Sequence, residues 1–285
     1  MAHTSLVRAL LLRFIAAAAL AAVLLAAIAL VAPEASHAVS LRTAVSIPSD
    51  VVGDDERDRY VGTGSVFLPG DVPDDSRQIA SDCPGCDWKA TIVCEMVSAS
   101  SCRGDARLCQ GESEYLRFWV KRPGEDWRMM GMGCVGPGGP PTRTAVDTQA
   151  TERFIAALPP LAPRAQPPLG AVVTLPVGLR SGQRPPVDRA WEVAEMRVVL
   201  HVSPLWEWRF GDGTGLRTTQ PGDRWPRLTV SHAYARPGSY RVRVVTTWTA
   251  TYTVDGLGPF PVAQAVHQGK GLRLRVGEAR AVLVR

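Results

Sequence analysis

Histidine is scarce: the chain has five in 285 residues, and two of them, His3 and His37, precede residue 39. No His-x-x-x-His pair occurs, which counts against a metalloprotease of that type. The Gly-x-Ser-x-Gly elbow and the phosphate-binding loop are absent too, so neither a hydrolase nucleophile nor a nucleotide cradle is written in the chain. The paired carboxylates of a glycosidase need a cleft, which a sequence does not display. Cysteine is missing outside 61–135, and only one long apolar run exists. No nucleic-acid recognition motif occurs. The expectation is therefore no catalytic residue, no metal, no cofactor and no nucleic-acid partner.

That apolar run lies in residues 1–38, which read as a targeting segment. Arg8 and Arg13 form a basic start, Phe14 to Ala32 is uninterrupted, and Ser36-His37-Ala38 offers a small-x-small cleavage site. A run of about 20 residues is long for a signal peptide and sufficient to cross a membrane. Positive charge before it favours an N-in, C-out orientation. A signal peptide and an N-terminal membrane anchor both remain open, and both place the rest of the chain outside the cytoplasm. Residues 39–60 hold no apolar period and read as a flexible spacer. Their acidic run, Asp54-Asp55-Glu56, lacks the alternating carboxylates of a calcium loop.

All six cysteines, Cys83, Cys86, Cys94, Cys102, Cys109 and Cys134, fall within 61–135. An even number in an oxidising compartment points to three disulfides in a small stapled domain, with the pairing open. Cys83-Pro-Gly-Cys86 has the spacing of a redox motif, without the strand–helix context of a thioredoxin fold. Zinc is the other alternative, but no Cys-x-x-Cys pair repeats. Strand candidates are Lys89 to Glu95, Tyr115 to Lys121 and Trp127 to Met130, with Trp119 and Trp127 expected against disulfides. Met129, Met130 and Met132 suit gap-filling in a small core.

Residues 136–169 read as a proline- and glycine-rich linker around a short helix, Thr148 to Leu158. Ala150, Phe154, Ala157 and Leu158 share one face of it, and this face is expected to pack on a folded domain. Residues 170–285 form a second domain. Ala171 to Leu175 is a strand that Pro176 and Gly178 interrupt. Trp191 to Val202 reads as one strand, broken by Ser203-Pro204. Leu272 to Val276 and Ala279 to Val284 close the chain, and no cell-wall sorting tail follows, which argues against C-terminal anchoring.

The organising stretch is Trp206 to Val254. Trp206, Trp208 and Phe210 recur with period two and line one strand face. Gly211-Asp212-Gly213 ends that strand in a tight turn, where Asp accepts backbone hydrogen bonds. Pro237-Gly238 launches a second strand with Tyr240, Val242, Val244, Thr246, Trp248, Ala250, Tyr252 and Val254 on one face. Taken jointly, Trp208-Arg209-Phe210-Gly211-Asp212-Gly213, His232-x-Tyr234, Pro237-Gly238 and Tyr240-x-Val242-x-Val244 resemble the polycystic kidney disease (PKD) domain. The overall layout is similar to secreted or membrane-anchored actinobacterial proteins that end in such a domain. The resemblance implies an immunoglobulin-like β-sandwich that is usually accessory to catalysis, with His232 and Tyr234 helping to fix the fold.

The expected fold is thus mainly β: a C-terminal immunoglobulin-like (PKD-type) β-sandwich plus a small disulfide-rich N-terminal domain and an N-terminal signal peptide or anchor helix. Asp212 has a second reading, as a calcium ligand with Asp223 or Asp255. Arg209, Arg241, Arg243, Arg273 and Arg275 fall on outer strand faces that suit anionic wall polymer, lipid headgroups or plain solvation. The leading function is a noncatalytic envelope protein, contacting a protein or a cell-wall glycan or acting as a spacer. The alternatives are a secreted enzyme and a carbohydrate-binding module with Trp225 and Trp248 as its platform. An exposed coplanar pair would favour that last reading, and buried aromatics would oppose it.

Overall fold

A computed structural model of the chain describes residues 58–93, 109–168 and 170–279. The leader, most of the spacer, Cys94, Cys102 and the last expected strand beyond 279 lie outside the described residues. No described helix is long and apolar enough to cross a membrane.

Four strands, β1 (Asp58–Thr63), β2 (Asp87–Ile92), β3 (Glu114–Lys121) and β4 (Arg128–Val135), form an antiparallel sheet in chain order. Alternation sends Trp88, Ala90, Leu116, Phe118 and Val120 to a buried face. Cys109 and Cys134 are bonded, as are Cys83 and Cys86, with Cα separations of 5.6 and 5.4 Å. Trp127 takes a different place from the one expected. It is 40% exposed, and the Lys89 and Lys121 ammonium groups lie 5.1 and 6.0 Å from its ring centroid. Between β1 and β2 sits a helix that the sequence pattern did not signal, α1 (Asp74–Ser81). It is a bare two turns, too short to display a full apolar period, with Asp74 and Asp75 favourably placed at its N-terminus.

The second helix, α2 (Arg143–Ala157), starts well before the expected Thr148 because Thr142 caps it: its Oγ1 accepts from Ala145 N at 3.3 Å. Its buried residues are Val146, Ala150 and Phe154. The preceding Pro/Gly segment is packed rather than solvated. Gly139, Pro140 and Pro141 are buried, Pro141 O accepts from Phe67 N at 2.9 Å, and the Tyr60 ring fills the place of a Gly139 side chain.

The remaining strands are β5 (Arg164–Gln166), β6 (Ala171–Val172), β7 (Pro176–Arg180), β8 (Arg189–Val193), β9 (Met196–Arg209), β10 (Gly215–Thr218), β11 (Ser231–Ala233), β12 (Gly238–Val254), β13 (Leu257–Pro261) and β14 (Val266–Gly277). One sheet runs β10-β9-β12-β14-β6, with β8 on β9 and β13 on β12; a smaller sheet runs β11-β7-β5. Three local readings change. Trp191 to Val202 is not one strand but a hairpin. Its turn residues Ala194 and Glu195 have φ of 48° and 66°, as a two-residue turn with matching twist requires. Pro176 opens β7 instead of interrupting a strand, a position where a missing N–H is tolerated.

Pro204, in turn, lies inside β9 opposite Trp248. Phe210 N donates to Thr214 O on the β10 side, and residues two apart point the same way, so the Pro204 nitrogen faces that edge. There β8 pairs only up to Leu200 and β10 only from Trp206, so the ladder with β12 loses no bond to the proline.

β9 and β12 are long enough to serve two partners. At about 3.3 Å per residue β12 spans roughly 55 Å. Along one half, its inner face and that of β9 meet the smaller sheet. Along the other half they meet α2 and the segment after β1. There Tyr252 donates to Asp147 Oδ1 at 2.5 Å, Trp191 Nε1 donates to Gln149 Oε1 at 3.1 Å, and Phe67 contacts the Tyr252 and Phe260 rings. Burial, then the bond to Asp147, holds the Tyr252 hydroxyl well above its usual pKa. Buried Arg77 on α1 ties the segment after β1 to the end of β12, donating to Leu68 O, Val254 O and Asp255 O at 3.3, 2.9 and 3.1 Å. Buried residues from Val66 to Val276 make one continuous hydrophobic cluster.

Candidate functional site

A tight group of chemically capable side chains surrounds the β9–β10 turn. Gly211, at φ 90°, brings the backbone so close to β12 that a Cβ there would lie 2.8 Å from Arg241 O. The turn aims Asp212 back at its own chain: Oδ1 accepts from Thr214 N at 3.0 Å and from Thr214 Oγ1 at 2.6 Å. Its Oδ2 meets His232 Nε2 at 2.6 Å. An ionised carboxylate only accepts, so Nε2 carries the proton. Burial would raise the Asp212 pKa, but the Thr214 and His232 hydrogen bonds outweigh it and bring the carboxyl from 3.8 to about 2.

His232 itself is sandwiched. Its ring stacks on Phe210 at 4.2 Å and 5° and meets Tyr234 edge-on at 4.6 Å. Tyr234 is fully buried and donates to Phe210 O at 3.0 Å; burial and the Asp212 charge push its hydroxyl up to about 12. Tyr240 completes the stack 4.2 Å from the Tyr234 ring and donates to Arg236 O at 2.8 Å, while Gly238 opens β12 beside it. A histidine–carboxylate pair is half of a nucleophile-activating set. Here the nearby hydroxyl, Thr214 Oγ1, gives its hydrogen to the carboxylate rather than to the imidazole. The geometry ties the β9–β10 turn to β11, and so one sheet to the other.

A second polar group lies in the interior, and no sequence pattern signalled it. Gln183 is 3% exposed. Its Oε1 accepts from Trp206 Nε1 at 3.0 Å and from Thr246 Oγ1 at 2.7 Å; its Nε2 donates to Pro159 O at 2.9 Å and to Gln268 Oε1. Gln268 Oε1 also accepts from Trp248 Nε1 at 3.2 Å. One amide thus joins the chain before β5, both long strands and β14. The only sign in the sequence is a glutamine after Ser181-Gly182, a context too common to read.

The remaining candidates separate. Trp206, Trp208 and Phe210 are 0, 1 and 3% exposed. Trp248 is buried and Trp225 is 70% exposed, so the two form no platform. Asp223 accepts from Arg224 N at 2.7 Å, and Asp255 accepts from Arg197 N at 2.7 Å, each away from Asp212 in its own turn. Among the described residues no group of three or more His, Cys, Asp or Glu could hold a metal ion. The expected outer-face arginines do share a surface: Arg243 pairs in register with Arg209, and Arg241 with Arg273.

Two facing sheets, joined by the Asp212–His232 contact and the buried Tyr234, define an immunoglobulin-like sandwich module. Residues 194–250 match the PKD domain family. The match runs from the β8–β9 turn into β12 and leaves out β14, which pairs with β12 from Gly238 to Trp248. No curated protein matches the chain.

Proposed function

We propose that this protein is a noncatalytic extracytoplasmic envelope protein, whose PKD module presents surfaces for protein or glycan contact or holds a neighbouring part at a distance. The observation that carries the reading is the use made of the module's distinctive residues. Trp206, Trp208, Phe210 and Trp248 fill the core, and Asp212, His232, Tyr234 and Tyr240 bond or stack on one another across the sheets. None is left over for a reaction, so the function falls to the outer surface. Two disulfides among the described residues suit an oxidising compartment, and the apolar run before residue 33 supplies the route there, as a cleaved signal or as an anchor.

The test is fractionation of the native host, followed by cross-linking and mass spectrometry of the envelope. The protein is expected in the membrane or medium fraction, cross-linked to an envelope protein or retained on purified wall. Recovery in the cytosol, or turnover of ester, peptide or glycoside substrates that His232→Ala abolishes, would overturn the proposal.

A further inference from the structure

Of the concavities on the described surface, one is set apart by the cations that line it. A cleft of about 630 Å³ opens between the end of β7 and the chain from Gln220 to Thr229, within the usual size range of small-ligand sites. Arg180, Arg184, Arg224 and Arg227 line it. Arg164 joins them from β5, directly opposite Arg180 in the β5–β7 register. Like charges placed opposite each other across a ladder are destabilising, so a cluster of this kind calls for a counter-charge. The only carboxylate in the lining is Asp223, which lies 3.4 Å from Arg227 Nε and also accepts from the Arg224 backbone. In the lining, one carboxylate faces four guanidinium groups.

The backbone that carries them is fixed. Ser181 N donates to Pro221 O at 2.7 Å and Leu179 N to Val230 O at 2.9 Å. Gly222, at φ 83°, is pressed so closely on β7 that a Cβ would fall 2.1 Å from Leu179 O. Gln183, on the same wall, is held by its four interior bonds. Arg180 also has its pKa lowered, by burial and then by the Arg224 and Arg164 charges. Trp225 follows Arg224 with its ring 70% exposed, and its backbone N donates to Gln166 Oε1 at 3.2 Å. Trp225 lies in the chain between Arg224 and Arg227, which line the cleft, so an exposed indole is carried on the same segment as the anion site.

We propose that this cleft binds a phosphate ester carried on a sugar, with Arg164, Arg180, Arg184 and Arg224 taking the phosphate and Trp225 the sugar ring. Guanidinium forks match phosphate oxygens. The inference names a ligand for the noncatalytic reading above and rests on it.

The test titrates the full chain calorimetrically with glucose 6-phosphate, glucose and inorganic phosphate at low and high salt. Glucose 6-phosphate is expected to bind saturably, at least about ten-fold more tightly than glucose, and to weaken as salt screens the site. The double variant Arg180→Gln/Arg224→Gln is expected to lose about ten-fold or more, and Trp225→Ala to weaken glucose 6-phosphate several-fold while sparing inorganic phosphate. Asp223→Asn keeps an oxygen for the Arg224 backbone and removes the competing charge. It is expected to tighten binding several-fold, a gain that misfolding cannot imitate. No saturable binding, equal binding of glucose, or indifference to Asp223→Asn overturns the site and leaves the noncatalytic reading standing. Stronger sedimentation with phosphatidylglycerol vesicles than binding of the soluble ester overturns it in favour of a lipid surface. Hydrolysis of the bound ester overturns the noncatalytic reading and leaves the site.

Discussion

Gln183 and Asp212 both tie distant strands through side-chain hydrogen bonds, but at different depths. Gln183 is 3% exposed and has four partners drawn from segments up to 85 residues away. Asp212 sits at the rim with its side chain 22% exposed and partners 2 and 20 residues away. Water can replace what Asp212 loses more readily than what Gln183 loses, since the Gln183 bonds to Trp206 and Thr246 are buried. Each bond of the two groups therefore carries different weight for stability, because leaving a buried donor or acceptor unmade costs more than a made bond contributes.

The largest effect is expected at Gln183. Gln183→Leu keeps much of the volume but orphans Trp206 Nε1, Thr246 Oγ1 and Pro159 O, and should cost on the order of 3 kcal/mol in denaturant unfolding. A loss under about 1 kcal/mol would mean that the interior hub is no deeper in effect than the rim. Arg77 extends the comparison to the other half of the long strands. Arg77→Met retains the stem but leaves Leu68 O, Val254 O and Asp255 O without their donor, for about 2 kcal/mol. Hydrogen exchange should then quicken around Val254 and Asp255 before it quickens at Trp206. Uniform acceleration would show that the halves do not loosen separately.

A finer contrast lies within β9. Trp206 and Trp208 are both buried, but Trp206 Nε1 donates to Gln183 whereas Trp208 Nε1 has no partner among the described residues. Trp206→Phe loses ring volume and a buried bond; Trp208→Phe loses volume and relieves an unsatisfied donor. Trp206→Phe should be the more destabilising by about 1 kcal/mol in paired melts. Equal losses would make the Gln183 bond energetically silent.

What was legible in the sequence follows the same division. Alternation from Trp206 to Phe210 and from Tyr240 to Val254 marked the faces that prove buried, because strand period is a local property. The Gly211-Asp212-Gly213 turn was legible for the same reason. The His232 contact with Asp212 was not, since pairing across 20 residues depends on where β11 docks. Pro204 misled because tolerance of a proline depends on an edge that β8 and β10 leave open. Gln183, Arg77 and the facing Arg164 and Arg180 carry no periodic or turn signal; topology alone assembles them.

The smallest effect tests the rim itself, through pH. The Asp212 carboxyl is depressed from 3.8 to about 2. A depressed acid stabilises the fold at pH values above its unfolded pKa, and that contribution fades as pH falls through the folded one. The window is therefore from about pH 4 down to about pH 2, and neutral pH is the stable side. The full shift would correspond to about 2 kcal/mol, but partial exposure and solvent screening reduce this to about 1 kcal/mol. Melting curves of the parent and of Asp212→Asn are expected to converge across this window, since the variant has no carboxylate to lose and keeps an acceptor for Thr214. Curves that stay parallel down to pH 2 would assign the acid sensitivity to other carboxylates and reduce the Asp212–His232 contact to a geometric tie without ionic weight.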